Sequence, residues 1–162
     1  MNQRPKAVFS SLAVAVVLAL SGGGAARADT YWECVTFARM FSGIQIFGDA
    51  ATWWNKAAGA YSRGATPQAG SVLVFKPNGV MGKGHVAVVT RIVNPREVIV
   101  DHANWQNRGE IDHNTPVLDV SVKNDWSKVR VWDINSAQWG VRVYKLSGFI
   151  AGHAPALAAA GS

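Results

Sequence analysis

A change in sequence periodicity near residue 64 constrains the fold of this chain more than any other feature. Downstream of it, short valine-rich runs alternate with clusters of Gly, Pro and Asn, a pattern typical of strands joined by turns. Upstream of it, apolar residues recur at helical spacing. Helices first and a mostly antiparallel sheet second is the order of an α+β fold. The predicted strands cover residues 71–75, 85–92, 98–102, 128–134 and 141–146.

Two helices are predicted before the strands. The first covers residues 31–41, where five apolar side chains share one helical face, and Gly43 is placed to end it. The second begins at Asp49, a favourable N-cap residue, and runs to Gly59. The apolar face of the first helix consists of Trp32, Val35, Phe37, Ala38 and Phe41.

The first 28 residues have the pattern of a secretory signal peptide. Arg4 and Lys6 precede an apolar run at 7–20, and an Ala-Arg-Ala sequence at 26–28 matches the small-x-small pattern that a signal peptidase recognises. The apolar run is shorter than the ~20 residues of a membrane-spanning helix, which favours cleavage near Ala28 over an uncleaved anchor. The mature protein is therefore expected to be periplasmic or secreted, with no stable membrane anchor after cleavage.

Removal of the signal also changes the charge balance. The whole chain has a formal net charge of +6, and loss of the signal leaves 13 basic residues against 10 acidic ones, about +3. Such an excess favours residence near anionic wall or membrane polymers. It is too small and too scattered to indicate nucleic acid as a partner.

Cys34 is the only cysteine of the chain, whereas oxidising compartments normally use cysteines in pairs. A single thiol in an exported protein is either buried and inert, dimer-forming, or reactive. The first turn of a helix favours a reactive role, because unpaired backbone N–H groups and the positive end of the helix dipole stabilise a thiolate. A nucleophilic cysteine also needs a base within hydrogen-bond reach and a third group that orients the base.

Two histidines lie where a sheet can bring them to Cys34. His85 opens one predicted strand, His102 ends the next, and the turn at 94–95 predicts that the two strands form a hairpin. Two registers are possible for this hairpin, and both place His85, His102 and Asn104 on one face, whereas a β-bulge would reverse the assignment. His102 is the preferred residue for orienting His85, and Asn104 is the second polar partner. Which of the two orients His85 stays open. The two registers are defined by the pairs Val93–Val98 and Arg91–Arg96, and both leave Asp101 on the other face.

Five segments of the mature chain together resemble the CHAP domain, the family of cysteine- and histidine-dependent amidohydrolases and peptidases. The resemblance covers about residues 31–150 and implies a papain-like fold, in which an N-terminal helix presents the thiol against an antiparallel sheet of about six strands. The catalytic domain is accordingly expected at 29–150, followed by a flexible Ala/Gly-rich tail at 151–162. The segments are ECVTFAR, PQAGSVLVF, GHVAVV, VDHANW and GFI.

The resemblance implies a role for each polar residue of these motifs. Cys34 is the implied nucleophile, His85 the general base and later the general acid, and His102 or Asn104 the third polar residue. The implied reaction is attack of the Cys34 thiolate on an amide carbonyl, after which His85 protonates the leaving amine and water hydrolyses the thioester.

Four residues near the motifs are candidates for contact with a substrate. Many CHAP domains have glutamine before the cysteine, whereas this chain has Glu33. Three roles are open for its carboxylate: it raises the pKa of the thiol, it points away from the thiol, or it binds a cationic group of the substrate. Tyr31 is a candidate for assisting the oxyanion, and Trp105 for lining the cleft. Lys83 is a candidate for steering a stem-peptide carboxylate, although lysines in flexible loops are usually only solvated.

The sequence gives little support for a role of the remaining histidines or for a metal site. His113 lies in a polar stretch that resembles a loop, His153 lies in the tail, and neither is given a role. A metal site built from Cys34, His85 and His102 is disfavoured, because the spacing is wide and no paired ligand motif is present. No metal and no cofactor are therefore predicted.

The function that these features predict is an exported peptidoglycan hydrolase that uses a cysteine nucleophile. It is expected to act either at the glycan–peptide junction, as an N-acetylmuramoyl-L-alanine amidase, or within stem and cross-bridge peptides, as an endopeptidase. The alternative is a catalytically idle CHAP-like module that binds wall peptides or an envelope partner, and Glu33 keeps this alternative open. The sequence identifies no protein partner.

Overall fold

The computed structural model describes residues 30–152, so the predicted signal peptide and the tail beyond Gly152 lie outside the described residues. None of the helices in this range is long and apolar enough to cross a membrane. In chain order the elements are α1 (Cys34–Ser42), α2 (Ala50–Lys56), β1 (Ser62–Gly64), β2 (Val72–Phe75), β3 (His85–Asn94), β4 (Glu97–Ala103), β5 (Ile111–Asp119), β6 (Lys128–Asp133), β7 (Gln138–Trp139) and β8 (Tyr144–Ala151).

Six of the strands form a closed antiparallel barrel. Neighbouring strands pair in the order β2, β3, β4, β5, β6 and β8, and β8 returns to pair with β2. The short strand β1 extends the sheet beside β8, and β7 pairs with β6. Two helices beside this sheet confirm the α+β class.

The core has two layers because the sheet is apolar on both faces. One cluster, including Leu73 and Phe75, fills the barrel interior. The other, including Val72 and Val74, packs the outer face of the barrel against the helices, where Phe37 and Trp53 are fully buried. Strand β2 is therefore a continuous apolar run rather than an alternating one, as expected for a strand covered on both sides.

Helix α1 begins later than its sequence pattern predicts. Residues 30–33 are not helical, and the backbone N–H of Trp32 donates to the carbonyl of Gly109, which ties this segment to the residues after β4. Glu33 is the extended N-cap residue, and Cys34 is the first residue of the helix. At the other end the prediction is confirmed, because Gly43 has a left-handed conformation (φ +74°) and its N–H donates to Arg39.

Two predictions about the strands were wrong. Residues 111–119 form a strand of the barrel rather than a loop, because the polar side chains of Asp112 and Thr115 are buried against neighbouring strands. The last strand lies at Tyr144–Ala151 instead of 141–146, and Val141 is almost fully exposed.

The hairpin of β3 and β4 begins in one of the two expected registers and then leaves it. The pair Asn94–Glu97 belongs to the register of Val93–Val98, but the pairs nearer to His85 do not. Two bulges each shift the pairing by one residue, and the two shifts together restore the alternation of side chains. His85 and His102 consequently point to the same side, the interior of the barrel. The observed pairs are Asn94–Glu97, Ile92–Val98, Arg91–Ile99, Val89–Val100 and Val88–Asp101.

Candidate active site

Cys34 lies at the N-terminus of α1, where the helix meets the edge of β3. The backbone of Val86, of Val35 and of Cys34 itself lies close to the thiol, and each of these backbone groups lowers the thiol pKa. Val86 is available because the pairing of β3 with β4 begins only at Val88. The thiol is thus held next to the residue that follows His85.

Cys34 and His85 line the same cleft, which has a volume of about 840 Å³. Its lining comes from α1, the segment before α2, the loop before β3 and the residues after β4. Of the residues predicted from the sequence, the cleft is also lined by Glu33, Lys83, Asn104 and Trp105.

His85 is bonded to His102 at the inner side of this cleft. Nε2 of His85 lies 3.0 Å from Nδ1 of His102, and both rings are buried. One of these two nitrogens therefore carries the proton and the other accepts it. Nε2 of His102 has no hydrogen-bond partner in the described part of the chain.

Trp105 covers the histidine pair at the mouth of the barrel. The centroid of its ring lies 4.7 Å from that of His85 and 5.3 Å from that of His102. The same ring also packs on Phe75 and Tyr144. Trp105 thus lines the cleft, as the sequence predicts, and in addition shields both imidazoles from water.

Burial keeps the histidines and the thiol uncharged near neutral pH. Desolvation lowers the pKa of His85 to about 3, and it lowers the pKa of His102 well below its usual value, with the neighbouring His85 acting in the same direction. The pKa of Cys34 is raised, first by burial and then by the negative charge of Glu33, which outweigh the backbone hydrogen bonds. The resting pair is accordingly a thiol and a neutral imidazole.

Asn104 organises the segment that precedes Cys34. It has a left-handed backbone (φ +58°), and its Nδ2 donates to the carboxylate of Glu33 at 3.2 Å. Its Oδ1 accepts from the N–H of Gly109 at 3.0 Å and from the hydroxyl of Tyr31 at 3.4 Å. Within residues 30–152 none of these side-chain bonds reaches His85, so the side chain that contacts His85 is His102 and not Asn104.

Tyr31 and Lys83 are placed differently from the expectation for substrate-binding residues. The Tyr31 ring lies against Gly109, behind Glu33, and is not among the residues that line the cleft. Lys83 lines the cleft, but its Nζ lies 3.7 Å from the carboxylate of Asp49, and both side chains are largely exposed. Such an exposed pair contributes little to stability.

The loop before His85 is fixed to the start of α2. Gly84 has φ +70°, and a Cβ at this position would lie 2.8 Å from the backbone nitrogen of Ala51. The N–H of Ala51 donates to the carbonyl of Lys83 at 2.8 Å. A glycine is therefore required directly before His85, both for its backbone conformation and for this close contact.

Several residues that line the cleft were not predicted as site residues. Arg39 is five residues after Cys34 on α1, with its guanidinium 4.7 Å from the centroid of the Phe47 ring. The remaining unpredicted residues come from the segment before α2 and from the loop before β3. Arg39 lies four residues after Val35, which also lines the cleft, so the two share one face of α1, whereas the loop residues carry no signal in the sequence. They include Phe47, Asp49, Val80 and Met81.

Asp101 and His113 form a separate pair on the outer face of the barrel. Nδ1 of His113 lies 2.8 Å from the Asp101 carboxylate, which also accepts from the N–H of Asn114. His113 therefore has a structural partner that its sequence neighbourhood does not reveal. Among the described residues, no group of three or more His, Cys, Asp or Glu side chains is arranged to hold a metal ion.

The family model of the CHAP domain matches residues 26–104, which include Cys34, His85, His102 and Asn104. This match confirms the resemblance to the CHAP domain family that the motifs predict. No curated protein matches the chain significantly.

One similar solved structure is an N-acetylmuramoyl-L-alanine amidase from Staphylococcus aureus, with 21% sequence identity and a TM-score of 0.44. The match covers 72% of this chain and 30% of the amidase chain, so this chain spans less than a third of that protein's length.

Proposed function

We propose that this protein is an exported peptidoglycan hydrolase that cleaves an amide bond with Cys34 as nucleophile. The observation that carries the proposal is the bond between His85 and His102 at the inner side of a cleft that Cys34 also lines. A nucleophile, a base and a group that orients the base are the three parts that covalent catalysis of amide cleavage needs. The proposal includes a papain-like arrangement, in which a helix N-terminus presents the thiol to a histidine on a neighbouring strand.

The hydrogen bond between the histidines selects the nitrogen of His85 that acts as base. When Nε2–H of His85 donates to Nδ1 of His102, Nδ1 of His85 keeps a lone pair and is the nitrogen left to accept the Cys34 proton. The opposite tautomer has its proton on Nδ1 and is not a base there. His102 is thus a positioning residue that acts through His85.

In the first half of the reaction, His85 takes the thiol proton while Sγ of Cys34 attacks the carbonyl carbon of the amide. Backbone N–H groups at the start of α1 are placed to stabilise the oxyanion. The tetrahedral intermediate collapses as the C–N bond breaks, and His85 gives its proton to the leaving amine. This step leaves a thioester on Cys34.

In the second half, His85 removes a proton from water, which attacks the thioester carbon. The C–S bond breaks, the carboxylic acid leaves, and the proton returns from His85 to the Cys34 sulfur. Because both residues are neutral at rest, the proton transfer accompanies the attack instead of preceding it.

The test is digestion of purified sacculi by the wild-type protein and by Cys34→Ala, with mass spectrometry of the soluble fragments. Release by the wild type that is lost in Cys34→Ala supports the proposal. The fragments then show whether the bond lies at the glycan–peptide junction or within stem and cross-bridge peptides. Equal binding by both proteins with no release would instead support an idle module that binds wall peptides.

A further inference from the structure

Glu33 places a carboxylate in the cleft next to the nucleophile. Its side chain is oriented by Nδ2 of Asn104, and no salt bridge to it is formed by any cation of the described residues. The nearby cations are otherwise engaged: Lys83 faces Asp49, and Arg39 faces Phe47. The exposed Arg108 lies close enough to act electrostatically on Glu33, but its guanidinium faces the Tyr31 ring, 5.9 Å from the ring centroid.

Several hydrogen bonds fix the position of this carboxylate. Asn104 has its own orientation fixed by the N–H of Gly109 and by the hydroxyl of Tyr31, and the backbone N–H of Trp32 donates to Gly109 at 2.9 Å. Glu33 is therefore held as an acceptor at the edge of the cleft, one residue from Cys34.

A carboxylate at this point is a disadvantage for the free enzyme. Second only to burial, its charge raises the pKa of the Cys34 thiol and so reduces the thiolate fraction. A positive charge bound to Glu33 would offset this effect, because the field of the carboxylate at the sulfur would then be neutralised.

We propose that Glu33 binds a primary ammonium group of the substrate, close to the scissile amide, and selects substrates in which that amine is free. This inference rests on the proposed hydrolase function. The ammonium comes either from the free N-terminal amine of a peptide or from the side-chain amine of a diamino acid in the stem. In both cases the substrate itself contributes to activation of the thiol.

The experiment compares substrates whose amine is free or acetylated. One pair is soluble wall fragments that retain the glycan, with the side-chain amine free or acetylated. The other pair is glycan-free stem peptides, with the N-terminal amine free or acetylated. Discrimination within only one pair identifies the source of the ammonium.

For the wild type, acetylation is expected to lower kcat/KM by about 10- to 100-fold in the pair that supplies the ammonium, the range of a charge-assisted hydrogen bond. Glu33→Gln should lose this discrimination, because its side chain keeps the shape but not the charge. Asp49→Asn removes another carboxylate of the same cleft and should keep the wild-type ratio. In the absence of substrate, iodoacetamide should alkylate Cys34 faster in Glu33→Gln than in the wild type.

The outcomes separate this inference from the proposed function. Hydrolysis with the same ratio in the wild type and in Glu33→Gln would overturn the role of Glu33 and leave the hydrolase intact. An absence of hydrolysis of all substrates and of sacculi would overturn the hydrolase and, with it, this inference. If Asp49→Asn also lost the discrimination, selection of the free amine would depend on the total negative charge of the cleft. That result would also contradict a specific role of Glu33.

Discussion

Nε2 of His85 lies 3.0 Å from Nδ1 of His102, and this contact joins two buried rings from adjacent strands. It leaves only Nδ1 of His85 available to a proton from Cys34. The orientation and the tautomer of the proposed base thus depend on a single neutral hydrogen bond inside the barrel.

Substitutions of His102 test this dependence. His102→Leu removes the acceptor and should lower kcat about 10²- to 10³-fold, within the range of a positioned general base. His102→Asn places an amide oxygen near the former Nδ1 and should retain more activity than His102→Leu. The measurement is the rate of fragment release from sacculi, with thermal unfolding of each variant as the control for folding.

Asn104→Ala is the matched comparison for His102. Since Asn104 bonds to Glu33 and not to His85, its loss should affect discrimination between free and acetylated amines more than kcat. A variant series in which Asn104→Ala abolishes turnover and His102→Leu does not would show that the orienting residue is Asn104.

The charge state of Cys34 is tested by alkylation at different pH values. The pKa of the thiol is raised above its ordinary value of 9.0, so the alkylation rate should increase with pH up to at least pH 9 without a plateau. The only cysteine of the chain is Cys34, so the signal is specific for this site. His85→Gln should leave the profile nearly unchanged, because His85 is neutral throughout this range.

The alternative charge state gives a different profile. A thiolate paired with a cationic histidine would be alkylated at a constant rate from well below pH 7. A plateau of that kind, lost in His85→Gln, would contradict the neutral pair.

Acid should destabilise the folded protein through the buried histidines. The pKa of His85 is about 3 in the folded protein against an ordinary value of 6.5, so between these values the unfolded chain binds the proton and the folded chain does not. The stability due to this group is fully present above pH 6.5 and is lost as the pH falls towards 3. The His102 pKa is shifted in the same direction.

The measurement is the urea midpoint between pH 7.5 and pH 5, where most carboxylates remain ionised. Each histidine adds a slope of at most about 1.4 kcal/mol per pH unit, so the wild type should lose stability over this range more steeply than His85→Gln. Equal slopes for the two proteins would mean that His85 is already protonated in the folded state or is open to water.

Gly84→Ala tests the contact that positions the loop before His85. The new Cβ would approach Ala51 and the carbonyl of Phe75 and would also have to adopt φ +70°. Gly43→Ala is the matched control, because Gly43 has φ +74° but no atoms within 4 Å of the new Cβ. The control should lose about 1–2 kcal/mol of unfolding free energy, and Gly84→Ala should lose about 1–3 kcal/mol more through overpacking. Equal losses would show that the contact with α2 is not a constraint.

The features that the sequence predicts correctly are those set by local chemistry. The N-terminal placement of Cys34 in its helix, the helix end at Gly43 and the start of a strand at His85 follow from residue preferences within a few positions. The family was predictable because its motifs are short and contiguous.

The features that were missed depend on pairing between distant strands. Strand β5 has polar residues such as Thr115 and a proline, and only its burial between β4 and β6 explains why it is a strand. The two bulges of the hairpin depend on barrel closure, and no local signal marks them. The cleft wall at Arg39 and Phe47 likewise depends on how α1 meets the segment before α2.

The central claim, that Cys34 forms the covalent bond to the substrate, is tested most directly by mass spectrometry of acid-quenched protein during turnover of sacculus fragments. The account predicts an acyl adduct on the peptide that contains Cys34, and neither adduct nor product in Cys34→Ala. Fragment release by Cys34→Ala at the wild-type rate, with no adduct in either protein, would contradict it.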